Sequence, residues 1–190
     1  MNQQPPWVAP LSALPVSLRP LIALQKKHYG DVLNPVRWWG RRPFLFWLVG
    51  LFVGHLERKK SPVAPLTRAL VMTRVSQRCH CAFCVDANSL KLAEQQGGLE
   101  KLMDVAHWEI AGGFSEPEQA ALAYADAMTE TPPRIDTALK TRLLAHYNED
   151  AITELTAIIA FQNLSARFNS ALEIPAQGLC AARGIDNHAG

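Results

Sequence analysis

The segment from residue 149 to residue 172 restricts the fold of this chain most, because its pattern is that of one long helix. A helix that is apolar on most of its sides has to be surrounded by other elements, so we expect this one near the centre of the core. No run of strict apolar and polar alternation occurs in the chain, which therefore is predicted to be all-α. The apolar positions of the segment recur at helical spacing at Ile152, Leu155, Ile158, Ile159, Phe161, Leu164 and Phe168.

Capping residues, prolines and glycines divide the rest of the chain into further helices. The run from Ser115 to Glu118 has the form of a capping box and predicts a helix that ends before Pro132. Asp136 can cap the next helix, which is expected to reach about His146. Residues 1–16 are rich in proline and are predicted to form an extended arm. The other predicted helices include about residues 17–28, 66–76, 81–96 and 99–108.

Three of the four cysteines lie within six positions, at Cys79, Cys81 and Cys84. Cys81 and Cys84 form a C-x-x-C pair at the predicted start of a helix. The amide groups of a first helical turn stabilise a thiolate, and an offset of three residues places both sulfurs on one face. The pair can therefore form a disulfide and release it again, which favours thiol redox chemistry.

Two other interpretations of these cysteines stay open. A C-x-x-C pair can be half of a zinc site, with Cys79 and His80 as further ligands, although structural zinc usually takes two such pairs. The remaining cysteine, Cys180, lies about a hundred residues further along the chain. Free cysteines are also common core residues, so the pair could simply pack.

Composition and charge narrow the class of protein. A chain of 190 residues with 48% hydrophobic and 19% charged residues can form one compact domain with an extension. The net charge of +2 comes without a clustered basic surface, so a nucleic-acid partner is not expected.

The segment from residue 44 to residue 56 is strongly apolar, but its thirteen residues are too few to span a bilayer. A buried or subunit-interface helix is therefore favoured over membrane contact. The N-terminus has no pattern of a secretory signal, so we expect a cytoplasmic protein whose thiols start reduced.

The segment from Pro65 to Ser89, PLTRALVMTRVSQRCHCAFCVDANS, resembles the signature of the alkylhydroperoxidase D and carboxymuconolactone decarboxylase family. The run from Ala120 to Ala125 and the end of the long helix, Ala160 to Asn169, are similar to the family's second half. This resemblance covers about residues 60–175. It implies an alkylhydroperoxidase D-like helical bundle in residues 61–190, preceded by an N-terminal helical extension in residues 1–60. It also implies a homo-oligomer with the cysteine pair near a subunit interface.

The resemblance also implies an activity. In peroxidase members of the family, the second cysteine attacks the peroxide oxygen and the first resolves the sulfenic acid as a disulfide. Carried over, Cys84 would be the attacking thiol and Cys81 the resolving one. A small or alkyl hydroperoxide would be the substrate, and an external dithiol or thioredoxin-like protein would be the electron donor. No cofactor is implied.

The chain departs from the family's proton relay at three positions. Ala69 stands in place of a glutamate, Phe83 in place of a histidine between the cysteines, and Asn88 in place of a second histidine. Asn88 lies one turn beyond Cys84, where its amide could donate a hydrogen bond to a thiolate or a peroxide but cannot shuttle a proton. The departures predict a slow or narrow peroxidase. They also leave a non-catalytic redox-sensing or structural helical oligomer as the alternative.

Arg78, His80 and Asp86 flank the pair in the sequence, and Arg167 lies on the predicted long helix. Arg78 and His80 are expected to favour the thiolate by their positive charge. Asp86 is expected to be a solvated carboxylate in the first helical turn, where the helix dipole favours it. Arg167 is expected to anchor the long helix or to form an ion pair across an interface.

Overall fold

All regular elements in the described part of the chain are helices, which confirms the all-α prediction. The computed structural model describes residues 6–185, so the first five residues of the predicted arm lie outside it. Residues 6–15 form no helix. The helices are α1 (Arg19–Tyr29), α2 (Val36–Trp39), α3 (Pro43–Leu56), α4 (Pro65–Arg78), α5 (Ala82–Ala93), α6 (Gly98–Leu102), α7 (Glu116–Thr129), α8 (Thr137–His146) and α9 (Glu149–Ala171), with short 3-10 turns at Val16–Leu18, Val105–His107 and Ala181–Arg183.

The predicted long helix is α9, and it lies against α4, α5 and α7. Its Asn148 cap accepts a hydrogen bond from the Ala151 N–H at 2.8 Å. Leu155 and Ile158 on this helix are fully buried, as expected of a central element. Leu164, in contrast, is about half exposed, so the apolar residues of α9 do not all face neighbouring helices.

Helices α4 and α5 carry the cysteine segment into the core. Pro65 stands in the first turn of α4, where its missing N–H is not needed. Helix α5 begins after Cys81 and ends at Ala93, three residues before the predicted end. The predicted helix over residues 99–108 is also interrupted, since α6 ends at Leu102 and a separate 3-10 turn follows.

The predicted helix starts at Ser115 and Asp136 are both confirmed. Ser115 and Glu118 form the reciprocal capping box of α7, and the Lys101 ammonium donates to the Glu118 carboxylate at 2.5 Å. The Asp136 carboxylate accepts from the Leu139 N–H at 2.8 Å and starts α8.

Helices α1 to α3 lie over the side of the bundle that carries the cysteine pair. Gly30 follows the last residue of α1, and its φ of 83° is the left-handed conformation that glycine adopts without steric cost. Leu18, Trp39 and Phe46 are buried where these helices meet α9. Within residues 6–185, no helix has both the length and the apolar character needed to cross a membrane.

Candidate active site

The C-x-x-C pair stands at the N-terminus of α5, and its two sulfurs are joined in a disulfide with the Cα atoms 5.2 Å apart. Cys81 is the cap residue of the helix, and its Sγ accepts a hydrogen bond from the Cys84 N–H at 3.2 Å. This amide belongs to the first turn, so it favours negative charge on the Cys81 sulfur. The structure confirms that the two sulfurs share a face and can bond.

A cavity of about 400 Å³ lies beside Cys84. Cys84 lines this cavity, whereas Cys81 does not belong to its walls. Helices α1 to α3 supply much of the surface, which is mainly apolar. The apolar lining includes Leu21, Leu33, Val36, Trp39, Phe46, Val49, Val53, Met72, Phe83, Ala87 and Phe161.

Within residues 6–185, one side chain donates a hydrogen bond to the Cys84 sulfur. The Asn169 Nδ2 of α9 lies 3.3 Å from the Cys84 Sγ. The Oδ1 of the same amide accepts the indole N–H of Trp39 at 3.1 Å. Both Asn169 and Trp39 are buried, and both line the cavity.

Asn88 lines the same cavity, but its amide forms hydrogen bonds with groups other than the two sulfurs. Its Nδ2 donates to the Ser76 Oγ at 2.9 Å, and the Gln162 Nε2 donates to the same hydroxyl at 3.0 Å. The Ser76 hydroxyl in turn donates to the Met72 carbonyl. The hydrogen bond from Asn88 to a thiolate or peroxide stays a prediction.

A second polar group borders the cavity at Lys91, Glu57 and Tyr29. Lys91 lies seven residues after Cys84 on α5, which at the rise of a helix is about 10 Å along the axis. Burial lowers the pKa of Lys91, but its ion pair with Glu57 and its contact with Tyr29 outweigh burial, so the pKa is raised. The ammonium therefore stays charged while it is paired. Burial raises the pKa of Tyr29.

The expectation for Asp86 is wrong, because this carboxylate is buried rather than solvated. It accepts three backbone N–H groups, from Gln177 and Leu179 at 2.9 Å and from Cys180 at 3.1 Å. The segment after α9 folds over α5 and supplies these donors, which no local pattern around Asp86 indicates. Burial, together with Asp86 and Glu94, raises the pKa of the Cys180 thiol to about 11.

Arg78 and Arg167 contact groups other than the cysteine sulfurs. Arg78 lies 3.8 Å from the Asp126 carboxylate and 4.0 Å from Glu130. His80 is exposed, with a positive φ of 50°. The Arg167 guanidinium donates to the Thr129 carbonyl at 3.1 Å, so it anchors α9 within the chain.

Cys79 is one of the further ligands that the zinc interpretation would need. Cys79 is half-buried beside the Asn163 amide oxygen at 3.6 Å, and burial raises the pKa of its thiol. Among the residues that the structure describes, no three His, Cys, Asp or Glu side chains converge in a way that could hold a metal ion.

The sequence model of the carboxymuconolactone decarboxylase family matches residues 47–127. The uncharacterized protein YnjA of Escherichia coli (strain K12) is 57% identical over 171 residues, which cover 90% of this chain and 94% of that protein. The chain belongs to the carboxymuconolactone decarboxylase family.

Solved structures agree with this assignment at the level of the fold. The alkylhydroperoxidase AhpD core of an uncharacterized peroxidase-related protein from Ralstonia eutropha JMP134 superposes with a TM-score of 0.75 at 22% identity, covering 87% of this chain and 88% of that one. A cysteine-to-alanine variant of the debrominase Bmp8 in complex with 2,3,4-tribromopyrrole superposes with a TM-score of 0.81 at 21% identity, covering 95% of this chain and 100% of that one. The chain therefore has the helical fold of the alkylhydroperoxidase D-like proteins.

The three departures from the relay take different places in this carboxymuconolactone decarboxylase family member. Ala69 packs in an apolar cluster with Leu70 and Leu92. Phe83 and Asn88 both line the cavity beside Cys84. The wall of the cavity is thus apolar where the relay would have placed a histidine between the cysteines.

Sequence reasoning missed Asn169 and Trp39 as parts of this family member's site. Asn169 lies inside the segment that carries the family resemblance, and Trp39 lies outside it. Asn169 is 85 residues from Cys84, and Trp39 is 130 residues from Asn169. No local spacing could have joined them.

Proposed function

We propose that the protein is a thiol-dependent oxidoreductase that reduces organic hydroperoxides through a dithiol–disulfide cycle of Cys84 and Cys81. One observation carries the proposal: Cys84 lines an apolar cavity while its sulfur is within bonding distance of Cys81 at the start of α5. The family assignment supports redox chemistry of this class.

The cycle has three balanced steps. The Cys84 thiolate attacks the terminal peroxide oxygen, the O–O bond breaks, and the alkoxide leaves as an alcohol after it takes a proton from water. The Cys81 thiolate attacks the Cys84 sulfenic acid, forms the disulfide and releases hydroxide, which becomes water. An external dithiol or thioredoxin-like protein then reduces the disulfide and is itself oxidised.

The surroundings of the two sulfurs support these separate roles. Cys84 borders the cavity, so a peroxide can reach it from that side. Cys81 is almost fully buried, and the Cys84 N–H donates to its sulfur. A first-turn amide favours the thiolate form that resolution of the sulfenic acid requires.

The cavity supports an organic substrate in preference to hydrogen peroxide. Its volume of about 400 Å³ exceeds what a small peroxide needs, and its walls are mainly apolar. An alkyl or aryl group of the hydroperoxide would remove apolar surface from water along α1 and α3. Asn88, Gln162 and Asn169 line the same cavity and supply polar groups to its wall.

The proposal also includes the cellular compartment and the oligomeric state of the protein. The cycle needs a reducing compartment, so we place the protein in the cytoplasm. We also propose a homo-oligomer, because α3 exposes large apolar side chains, Phe44 and Leu51 among them.

A comparison of three variants tests the proposed cycle. Cumene hydroperoxide is added to the reduced protein, and the intact mass and free thiols are followed for wild type, Cys81→Ser and Cys84→Ser. We expect a disulfide in wild type, a sulfenic acid in Cys81→Ser and neither product in Cys84→Ser. Cys79→Ser is the matched control and should behave as wild type.

The same experiment separates the non-catalytic alternative. A disulfide that forms once but supports no turnover with dithiothreitol as reductant would favour a redox sensor. The absence of both disulfide and sulfenic acid would overturn the peroxidase proposal and favour a structural role.

Reductive dehalogenation is a second candidate, favoured by the apolar cavity and by the structural likeness to the debrominase Bmp8. Two thiols would supply the electrons: a carbon–bromine bond breaks, a carbon–hydrogen bond forms, and bromide, a proton and the Cys81–Cys84 disulfide are released. Release of bromide from 2,3,4-tribromopyrrole by wild type but not by Cys84→Ser would support it. Loss of thiol without bromide would exclude it.

A further inference from the structure

We infer that Asn169 is a catalytic residue that stabilises the Cys84 thiolate, and that Trp39 is a positioning residue that fixes the Asn169 amide. The inference deepens the proposed function, on which it rests, and it gives the N-terminal helices a role in the chemistry. The side chains that support the thiolate then come from α2 and α9, whereas the sequence pattern indicated candidates near the cysteine pair.

The orientation of the Asn169 amide follows from the chemistry of its partner. An indole N–H can only donate, so the atom of Asn169 that lies 3.1 Å from the Trp39 Nε1 has to be the oxygen. The nitrogen of the amide then points to Cys84, at 3.3 Å from the Sγ. Trp39 therefore makes Asn169 a donor toward the sulfur, whereas the flipped amide would turn an acceptor toward it.

Packing holds both side chains in this geometry. The Trp39 ring stacks on Phe168, the neighbour of Asn169 on α9, with 3.6 Å between the ring centroids and 22° between the planes. Trp39 is 5% exposed and Asn169 is 2% exposed. A fixed donor away from water stabilises a nearby negative charge more strongly than a solvated one does, and it needs no reorganisation when the charge forms.

The charged groups around Cys84 leave this amide as the principal side-chain support for a thiolate. On the cavity side, the Lys91 ammonium is paired with Glu57, and His28 and Tyr29 border the cavity on α1. On the opposite side, Asp86 is occupied by three backbone N–H groups.

The neighbouring helices α4 and α9 direct their charges elsewhere. Arg74 and Arg78 of α4 pair with Asp126. Arg167 of α9 donates to the Thr129 carbonyl. The Asn169 Nδ2 is the side-chain donor that the described residues place on the Cys84 sulfur.

Alkylation of Cys84 measures the thiolate directly and needs no peroxide. In a Cys79→Ser, Cys81→Ser background, the tryptic peptide from residue 79 to residue 91 contains Cys84 as its single cysteine. Serine also keeps a good cap residue at the start of α5. The rate of iodoacetamide alkylation of this peptide's cysteine in the native protein is followed against pH by mass spectrometry.

The Asn169→Leu variant removes the donor at nearly constant side-chain size. We expect the pH at which Cys84 alkylation reaches half its maximal rate to rise by about one pH unit, because a hydrogen bond to a charged group is lost. This shift corresponds to about a tenfold loss of thiolate near neutral pH. A folded variant, verified by its thermal melt, with an unchanged midpoint would overturn the role of Asn169.

The Trp39→Phe variant tests the positioning role, because it keeps a ring on Phe168 but removes the N–H. The amide can then flip, and we expect a loss of thiolate of about threefold. Trp47→Phe is the matched control, since the Trp47 indole donates to the Ser17 carbonyl outside the cavity. An effect of Trp39→Phe that persists unchanged in the Asn169→Leu background would show that Trp39 does not act through Asn169.

The outcomes separate this inference from the proposed function. If the alkylation midpoint of Cys84 depends on Asn169 but peroxide produces neither the disulfide nor the sulfenic acid, the peroxidase proposal fails and the inference stands. If peroxide is reduced but both substitutions leave the alkylation midpoint unchanged, the inference fails and the proposed function stands. Should Asn169→Leu not fold, an unchanged midpoint in Trp39→Phe alone overturns the inference.

Discussion

Cys84 and Cys180 pack in the same core cluster, but the surroundings of the two thiols differ. Cys84 borders the cavity and has the Asn169 amide beside its sulfur. Cys180 is fully buried, and burial together with the nearby Asp86 carboxylate raises its pKa to about 11. A thiol with a raised pKa is scarcely ionised at pH 8, so it is a poor nucleophile.

We predict that iodoacetamide at pH 8 labels Cys84 in the reduced native protein and leaves Cys180 unlabelled. The tryptic peptide from residue 168 to residue 183 reports on Cys180 alone. Labelling of Cys180 should appear only after unfolding in urea, which serves as the positive control. Equal labelling of both cysteines in the native protein would contradict the prediction.

Asp86 is predicted to contribute strongly to stability, because its carboxylate is the acceptor for three buried backbone N–H groups. Asp86→Ala would leave these donors without a partner, at a cost of about 3 kcal/mol in the free energy of unfolding. Urea denaturation measures this loss. Asp31→Ala is the control, since Asp31 is exposed and, among the residues that the structure describes, accepts only from the adjacent Val32 N–H. A loss no larger than that of the control would contradict the prediction.

At the scale of the elements, the start of α7 depends on one carboxylate. Burial raises the pKa of Glu118, but the Lys101 ammonium and the hydrogen bonds from Ser115 outweigh burial, so the pKa is lowered. A group with a lowered folded pKa stabilises the fold above its unfolded pKa of about 4.3 and loses that contribution as the pH falls through the folded value.

We therefore predict that Glu118→Gln lowers the free energy of unfolding by about 1 kcal/mol at pH 7, as loss of a helix cap does. The difference from wild type should shrink as the pH falls below the unfolded pKa and through the lowered folded pKa, where the native carboxylate also becomes protonated. Urea midpoints at pH 7 and pH 3 measure both values. Glu100→Gln, at an exposed position of α6, should have little effect at either pH. A difference that stays constant with pH would contradict the prediction.

Local sequence signals predicted most of the helices, but they did not predict which helices contact one another. The capping box at Ser115 and the cap at Asp136 each fix a helix start through atoms within three residues, so the sequence predicts them well. The end of α5 was missed because the next turn closes against Leu92: a Cβ at Gly98 would lie 1.8 Å from the Leu92 carbonyl oxygen. This close approach is a property of the folded chain that a glycine pair alone does not specify.

At the scale of the whole molecule, the candidate site combines parts of the chain that the sequence pattern treats separately. The cysteine pair was predictable because its two sulfurs are three residues apart. The cavity was not, since its walls come from α1 to α3 as well as from α4, α5 and α9. Residues 1–60 were predicted to be an extension of the bundle, and the described part of them forms one side of the pocket on Cys84. Long-range packing, rather than local preference, therefore determines which groups line the cavity.

Helix α3 has two apolar faces, and the one that turns away from the cavity predicts an assembly. Phe46, Val49 and Val53 face the cavity. The other face leaves Phe44 77% and Leu51 66% exposed, next to the partly exposed Leu48. Large apolar side chains that recur at helical spacing on the surface mark a contact with another molecule.

We predict that a Phe44→Glu, Leu51→Glu double variant dissociates the proposed homo-oligomer, because charges would be buried in its interface. Light scattering during size-exclusion chromatography should show a lower mass for this variant than for wild type. Ile110→Glu is the control, since Ile110 is 89% exposed and lies far along the chain from α3. A monomeric wild type, or a double variant with the wild-type mass, would contradict the prediction. Because α3 also forms a wall of the cavity, we expect the dissociated variant to show a changed KM for an organic hydroperoxide while the Cys81–Cys84 disulfide still forms.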